Sequence, residues 1–430
     1  MPWTKNPAAL LTSLLVIHVL AHIDRNMLLG FSPQIMKDLA LDNTQYGFLV
    51  GAVWVLSFGF MATFMGTLAD RFSRTRIIAA GVFIWSICTW ASGHARSFEE
   101  MAIARFFVAS GEAALVPAAV GLLVEAFSER RRGTAIGVFF TGIPLGIGLS
   151  FLLAGSIGQG LGWRSTFTVL GVVGVLIALS LAFLREERGS GRDGASAAPQ
   201  GKPFASQVAA VCGVIARQPA LRLAVLGFVL ANAMFASFSF TQLWMVRERG
   251  LDAAGIARTI GGLQIVFGML GAVGGGALSD RFSKRFAGGH ASFMVLLILL
   301  CAPLMLAYRF APAGSALFYL GMCSGFFLPL AIYGPANTLI QGLTPESMRS
   351  TIAGVTMLLI NVFAIAIGSL AIGFASDRLA AAGNGMPLTT VLLASDVLAI
   401  GAALLFWRAA RHIRREPGMV DVAAPTTLAH

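Results

Sequence analysis

Six ionisable side chains lie inside otherwise apolar sequence: His18, His22, Asp24 and Arg25 in one stretch, Arg105 and Glu112 in another. Histidine titrates near neutrality, carboxylates take up protons where water is scarce, and an arginine fork holds carboxylate or phosphate. Together they could couple proton movement to the capture of an anionic group. If both stretches cross a bilayer, each charge costs at least about 2.5 to 3.5 kcal/mol and needs a partner or a water-filled cavity.

On a helix His18, His22, Arg25 and Asn26 fall at i, i+4, i+7 and i+8 and form one polar stripe, while Asp24 points about 100° away from Arg25. Arg105 and Glu112 share a face about 10 Å apart along the axis. Counting rises from the span ends brings Asp24 level with Arg105, the favoured pair, and leaves Arg25 and Glu112 to a cavity. The plainer alternative is that these charges only pin two helices together. For the histidines the alternatives are a proton relay and a hydrogen bond to a neighbour.

The elements that must position them are set by composition. Of 430 residues 57% are hydrophobic and 12% are charged, against about 25% charged in a soluble domain. The bilayer is the main solvent. A net charge of +11 is spread over short loops instead of one soluble face, which argues against nucleic acid. Cys88, Cys212, Cys301 and Cys323 have no metal spacing and read as small packing residues. The charges in the first apolar run mark it as a retained helix and not a cleaved signal peptide.

Twelve runs reach the length of about 20 residues that a helical span needs: α1 at 8–31, α2 at 45–69, α3 at 77–94, α4 at 98–122, α5 at 133–157, α6 at 164–184, α7 at 221–246, α8 at 258–279, α9 at 290–308, α10 at 313–340, α11 at 350–375 and α12 at 388–408. The expected fold is an all-α membrane protein of two six-helix bundles, 1–184 and 221–410. A cytoplasmic linker at 185–220, with Gly189-Ser190-Gly191-Arg192-Asp193-Gly194 and a short surface helix after Pro203, joins them. A tail at 411–430 ends the chain and is expected to be disordered after Pro417.

With the N-terminus inside, 21 of the 31 Lys and Arg fall in cytoplasmic segments, 8 in outer segments and 2 within spans. That asymmetry predicts cytoplasmic termini. Arg130, Arg131, Arg132, Arg408, Arg411, Arg414 and Arg415 then read as anchors near anionic lipid.

The halves repeat. Gly66-Thr67-Leu68-Ala69-Asp70-Arg71-Phe72-Ser73-Arg74 between α2 and α3 returns as Gly276-Ala277-Leu278-Ser279-Asp280-Arg281-Phe282-Ser283-Lys284 after α8, 210 residues later. A second echo opens α5 and α11, Arg132-Gly133-Thr134-Ala135-Ile136-Gly137 against Arg349-Ser350-Thr351-Ile352-Ala353-Gly354. A helix N-terminus carries roughly half a positive charge and favours a carboxylate beside it. Glycine runs in α5 and α8 allow close helix packing; Gly274-Gly275-Gly276 has no preceding strand or P-loop lysine and is no phosphate cradle.

The duplicated turns resemble those of the major facilitator superfamily. Ile23-Asp24-Arg25, Ala104-Arg105-Phe106-Phe107-Val108-Ala109-Ser110-Gly111-Glu112-Ala113 and Gly142-Ile143-Pro144-Leu145-Gly146-Ile147-Gly148-Leu149 look like its Spinster branch, linked to proton-coupled export of lysolipids and sphingolipids. The anion:cation symporter branch shares the Asp-Arg pair and the Gly-Glu-Ala turn. The resemblance implies that Asp24, Arg25 and Glu112 serve coupling and substrate, and that Gly66, Asp70, Arg71, Arg74, Asp280 and Arg281 form the gating turns. It also implies that Asp70 faces α11 and Asp280 faces α5 when the cytoplasmic gate is shut.

The second half has no matching charge cluster. Asp396 in α12 stands alone among Asn232, Gln264, Asn337, Gln341 and Asn361, with Phe235, Phe238, Phe240, Phe326 and Phe327 nearby in sequence. A cavity charged on one wall and aromatic on the other would suit an amphiphile. The expected protein is a monomeric secondary transporter of the plasma (bacterial inner) membrane, proton-coupled, moving an amphiphilic or anionic small molecule or lipid, without cofactor or metal and not an enzyme. Rivals are a sugar-acid symporter, a multidrug exporter and, more remotely, a membrane-embedded lipid enzyme built on His18, His22 and Glu112.

Overall fold

The computed structural model describes residues 6–59, 61, 73–184, 204–286 and 288–415. Among these there is no strand, and eleven helices are long and apolar enough to cross a membrane: α1 Pro7–Gly30, α3 Arg74–His94, α4 Phe98–Ala126, α5 Glu129–Gly155, α6 Gly160–Ala182, α7 Pro219–Arg247, α8 Ala253–Ser283, α9 Gly289–Ala307, α10 Ala316–Gly342, α11 Glu346–Ala381 and α12 Pro387–Arg415. α2 starts at Asn43 and is helical through residue 59. Twelve transmembrane helices result, with α8 and α12 longer than the apolar runs alone predict because polar residues continue their last or first turns.

Local chemistry explains the starts and the breaks. Asn6 accepts from the amides of Ala8 and Ala9 and is followed by Pro7, while Asp42 and Gln45 close a capping box at the start of α2. Pro117 and Pro144 cannot donate to the carbonyls four residues earlier. Accordingly α4 is interrupted between Glu112 and Leu115, and α5 at Thr141. In α7 the break is at Asn232, whose amide side chain donates to the Phe228 carbonyl at 2.7 Å. α2 and α11 carry π-helical stretches at Phe48–Ala52 and Ile360–Ile367, a geometry frequent at functional sites. The expected surface helix in the linker is present as Phe204–Arg217. Residues 185–203 and the tail after 415, including Ser190, lie outside the described residues.

The chain divides into two compact units. One comprises Met1–Ala195, Phe238–Val266 and Ala366–Val391, and the other Ser196–Ser237, Phe267–Ile365 and Leu392–His430. The core of the first gathers Leu14, Trp85, Leu122 and Phe139; that of the second gathers Leu221, Phe228, Ile298 and Phe406. Lipid offers helices no hydrophobic push toward each other, so backbone approach matters. A Cβ on Gly111 of α4 would lie 2.6 Å from the Gly81 carbonyl of α3, and one on Gly171 of α6 would lie 2.6 Å from the Trp90 amide of α3.

Candidate functional site

α4 is fastened to α1 by Arg105. Its guanidinium donates to the carbonyl oxygens of Asp24 at 3.1 Å and Arg25 at 2.9 Å, so it reaches the level expected but bonds backbone, not the Asp24 carboxylate. A helical carbonyl has a second lone pair to offer, and α1 uses it here. Asp24 itself is fully buried beside Trp85 and Thr89 of α3. The Trp85 indole N–H and the Thr89 hydroxyl are the polar groups beside its carboxylate.

Arg25 turns toward α2. Its guanidinium sits over the Trp54 ring, 3.6 Å from the centroid, a cation–π contact whose value rises with desolvation. The same indole donates its Nε1–H to Glu112 Oε2 at 3.1 Å and stacks on Phe58. Trp54 thus bridges the cation and the carboxylate. Ser57, one turn further along α2, holds this register by donating to the Phe106 carbonyl and meeting the Ser110 hydroxyl at 2.8 Å, both in α4. Glu112 is the last residue before the α4 break and is 8% exposed; its Oε1 has no hydrogen bond among the described residues. No ion pair within 4 Å joins Arg25 or Glu112 to another described side chain.

The histidines face α5. His18 Nδ1 lies 2.9 Å from the Phe139 carbonyl and therefore donates, with the imidazole stacked on Phe139 and edge-on to His22. Glycines make the room: a Cβ on Gly142 would be 2.9 Å from His18 Nδ1, and one on Gly146 would strike His22 Cβ and lie 2.7 Å from the Val19 carbonyl. Asn26 donates back to the His22 carbonyl at 2.7 Å, and His22 Nδ1 has no partner among the described residues. The stripe read on α1 therefore splits, histidines toward α5 and Arg25 toward α2.

Of the gating residues, Gly66, Asp70 and Arg71 lie outside the described residues. Arg74 pairs with Glu125 of α4 at 2.6 Å. Asp280 and Arg281 are exposed at the end of α8, where Ser279 meets His290 Nδ1 at 2.8 Å. One expectation is corrected. Asp396 does not stand alone: Arg309, just past the end of α9, donates to its Oδ2 from Nε at 2.9 Å and Nη2 at 2.8 Å, with both side chains 2% exposed. The apolar run ends at residue 308, so Arg309 reads as a loop cation until α12 is seen to pack on α9.

Trp54 was also missed, because a tryptophan in an apolar run reads as packing. The available signal was its N–H, which when buried usually finds a partner.

The family model of the Major Facilitator Superfamily matches residues 14–369, and the chain belongs to that superfamily. It is similar to an MFS-type efflux pump of Mycolicibacterium smegmatis, 25% identical over 94% of this chain and 92% of that one. It is also similar to protein spinster homolog 1 of Xenopus laevis, 24% identical over 87% of this chain and 74% of that one. Its fold matches a bacterial homolog of the human lysosomal transporter Spinster, solved inward-facing and unoccupied, with a TM-score of 0.80 at 22% identity over 95% of this chain and 98% of that one. The protein is a transporter and not an enzyme, and it resembles the Spinster branch.

Proposed function

We propose that the protein is a proton-coupled carrier of an amphiphilic or anionic small molecule, with Arg25 receiving the anionic group and Glu112 or Asp24 carrying the proton. The observation that carries this reading is the Arg25–Trp54–Glu112 bridge. Arg25 rests on an aromatic face, and its guanidinium donors make no hydrogen bond to a described residue, so an incoming carboxylate or phosphate can engage them without first displacing a carboxylate. Once Arg25 is engaged, it stabilises the ionised Glu112 less, and proton binding and substrate binding alter each other's free energy. Similarity to an efflux pump and to a Spinster homolog supports the amphiphile, and similarity to a hexuronate transporter of Bacillus subtilis, 25% identical over 99% of this chain and 100% of that one, supports the sugar acid, so the transport test decides between them.

The proposed setting is the plasma (bacterial inner) membrane, with both termini cytoplasmic, a monomer of bundles 1–184 and 221–410, and alternating access around the Arg25 site. His18 and His22 are proposed to shape α1 against α5, with a relay as the rival. Asp70, Arg71, Asp280 and Arg281 are proposed as cytoplasmic gating groups. The test is reconstitution: uptake and efflux of a lysolipid, a sugar acid and a hydrophobic cation in one proteoliposome preparation with an imposed pH gradient. Gradient-driven movement of the lysolipid or of the sugar acid supports the reading and tells the two substrates apart; movement of the hydrophobic cation alone overturns it.

A further inference from the structure

The Gly-x-x-x-Asp-Arg order of the two gating turns occurs a third time, at Gly373-Phe374-Ala375-Ser376-Asp377-Arg378 near the end of α11. By span count this copy lies at the membrane face opposite the other two. Its carboxylate is engaged. Asp377 accepts from the backbone N–H of Asn43 at 3.1 Å, from that of Thr44 at 2.8 Å and from the Thr44 hydroxyl at 2.6 Å, so a group from the second half of the chain caps the first turn of α2. That end of α2 carries partial positive charge and exposed donors, which is where a carboxylate is most favourable.

Packing reinforces the cap. A Cβ on Gly373 would strike the Asn43 carbonyl, and one on Gly47 would strike the Ser369 carbonyl, so α2 and α11 touch backbone to backbone one and two turns before the carboxylate. Arg247 of α7 donates to Asn43 Oδ1 at 3.1 Å, and Tyr46 donates to the Ser239 carbonyl at 2.7 Å. The repeat-related pair, α5 with α8, is joined at the same face with the charge reversed. There Arg258 of α8 donates to the Gly155 carbonyl at the end of α5, and a Cβ on Gly155 would lie 2.6 Å from the Ala254 carbonyl. A cation on a helix C-terminus and an anion on a helix N-terminus both complement the dipole.

We propose that Asp377 is a gating residue of the transport cycle, latching α2 to α11 at the face opposite the duplicated turns, and that this face opens only when the Asp377 cap on Asn43 and Thr44 is released. The same short element then serves both ends of the carrier. Asp377 closes this face, and the other two copies of the turn, Asp70 and Asp280, are the cytoplasmic gating groups proposed above. Two discrete arrangements of one helix pair are what an alternating carrier needs.

The test uses the full-length protein in lipid nanodiscs, with the four native cysteines replaced and spin labels at Lys37→Cys and Ala380→Cys, both exposed positions at this face. Distance distributions report whether the face is shut or open. Asp377→Asn removes the charge from the cap and is expected to raise the ratio of long to short distances on the order of tenfold, the loss of one charge-assisted hydrogen bond. Thr44→Val removes only the hydroxyl donor and is expected to shift the ratio the same way by less. If Asp377→Asn does not yield monodisperse protein, Thr44→Val carries the test alone. An unchanged distribution in a monodisperse variant overturns the latch.

Discussion

The Arg25 guanidinium sits over the Trp54 indole, 3.6 Å from the ring centroid, and pairs with no carboxylate among the described residues. The cation is held by a face that contributes about 0.5 to 2 kcal/mol, weak enough to be outcompeted by a charged ligand group and strong enough to hold the side chain in place. Trp54→Ala is therefore expected to weaken binding of an anionic substrate by roughly 2- to 30-fold, whereas Arg25→Ala abolishes it. Trp54→Phe keeps a face and loses the N–H to Glu112, so its binding should stay closer to wild type than that of Trp54→Ala. Equilibrium binding of whichever compound is moved in proteoliposomes checks all three.

A second prediction concerns Arg309 and Asp396, which bury opposite charges in one contact. Removing one partner leaves an uncompensated buried charge and costs about 3 to 5 kcal/mol, while replacing both with apolar residues of similar volume is near neutral. Asp396→Leu should lower the melting temperature in detergent sharply, and Arg309→Met with Asp396→Leu should restore most of the loss. A double variant no better than the single one would mean that the pair does more than anchor α9 to α12.

The glycines facing the histidines supply a third. A side chain at Gly146 meets His22 Cβ and the Val19 carbonyl, and overpacking of this kind costs about 1 to 3 kcal/mol or more where backbone blocks relaxation. Gly146→Val is expected to reduce the yield of monodisperse protein, and His22→Ala in the same chain to recover part of it. His18→Gln keeps a donor toward the Phe139 carbonyl and should leave pH-driven transport in place. Loss of pH dependence in His18→Gln would favour the relay.

Orientation gives a fourth. A cysteine at Ser190 should react with an impermeant thiol reagent only from the cytoplasmic side, because six spans precede it from an inside N-terminus. Labelling from outside would reverse every assignment of gate to face.

Much of this fold and site is legible in the sequence, and the parts that are not share a cause. Spans follow from apolar length, which is why most helices come within a few residues of their runs and the α2 start within two, while α8, α11 and α12 run on through polar turns. Helical spacing placed His18, His22 and Arg25 on one stripe, but spacing says nothing of which neighbour each side chain meets. Arg105 bonds carbonyls, and backbone acceptors leave no trace in residue type. Arg309 falls one residue beyond its apolar run and Asp377 two residues beyond its own; each gains meaning only from a helix far away in sequence.

The central claim is that protonation of a carboxylate beside Arg25 drives accumulation, and Glu112→Gln tests it most directly. Glutamine keeps the shape and an acceptor for the Trp54 N–H but holds the site permanently in a neutral form. In proteoliposomes carrying the identified substrate, the variant should exchange labelled for unlabelled substrate across the membrane at a rate near wild type, while accumulation against a gradient under an imposed pH difference falls to the level of empty liposomes. Full pH-driven accumulation by Glu112→Gln would contradict the account and pass the role to Asp24, the fully buried carboxylate of α1.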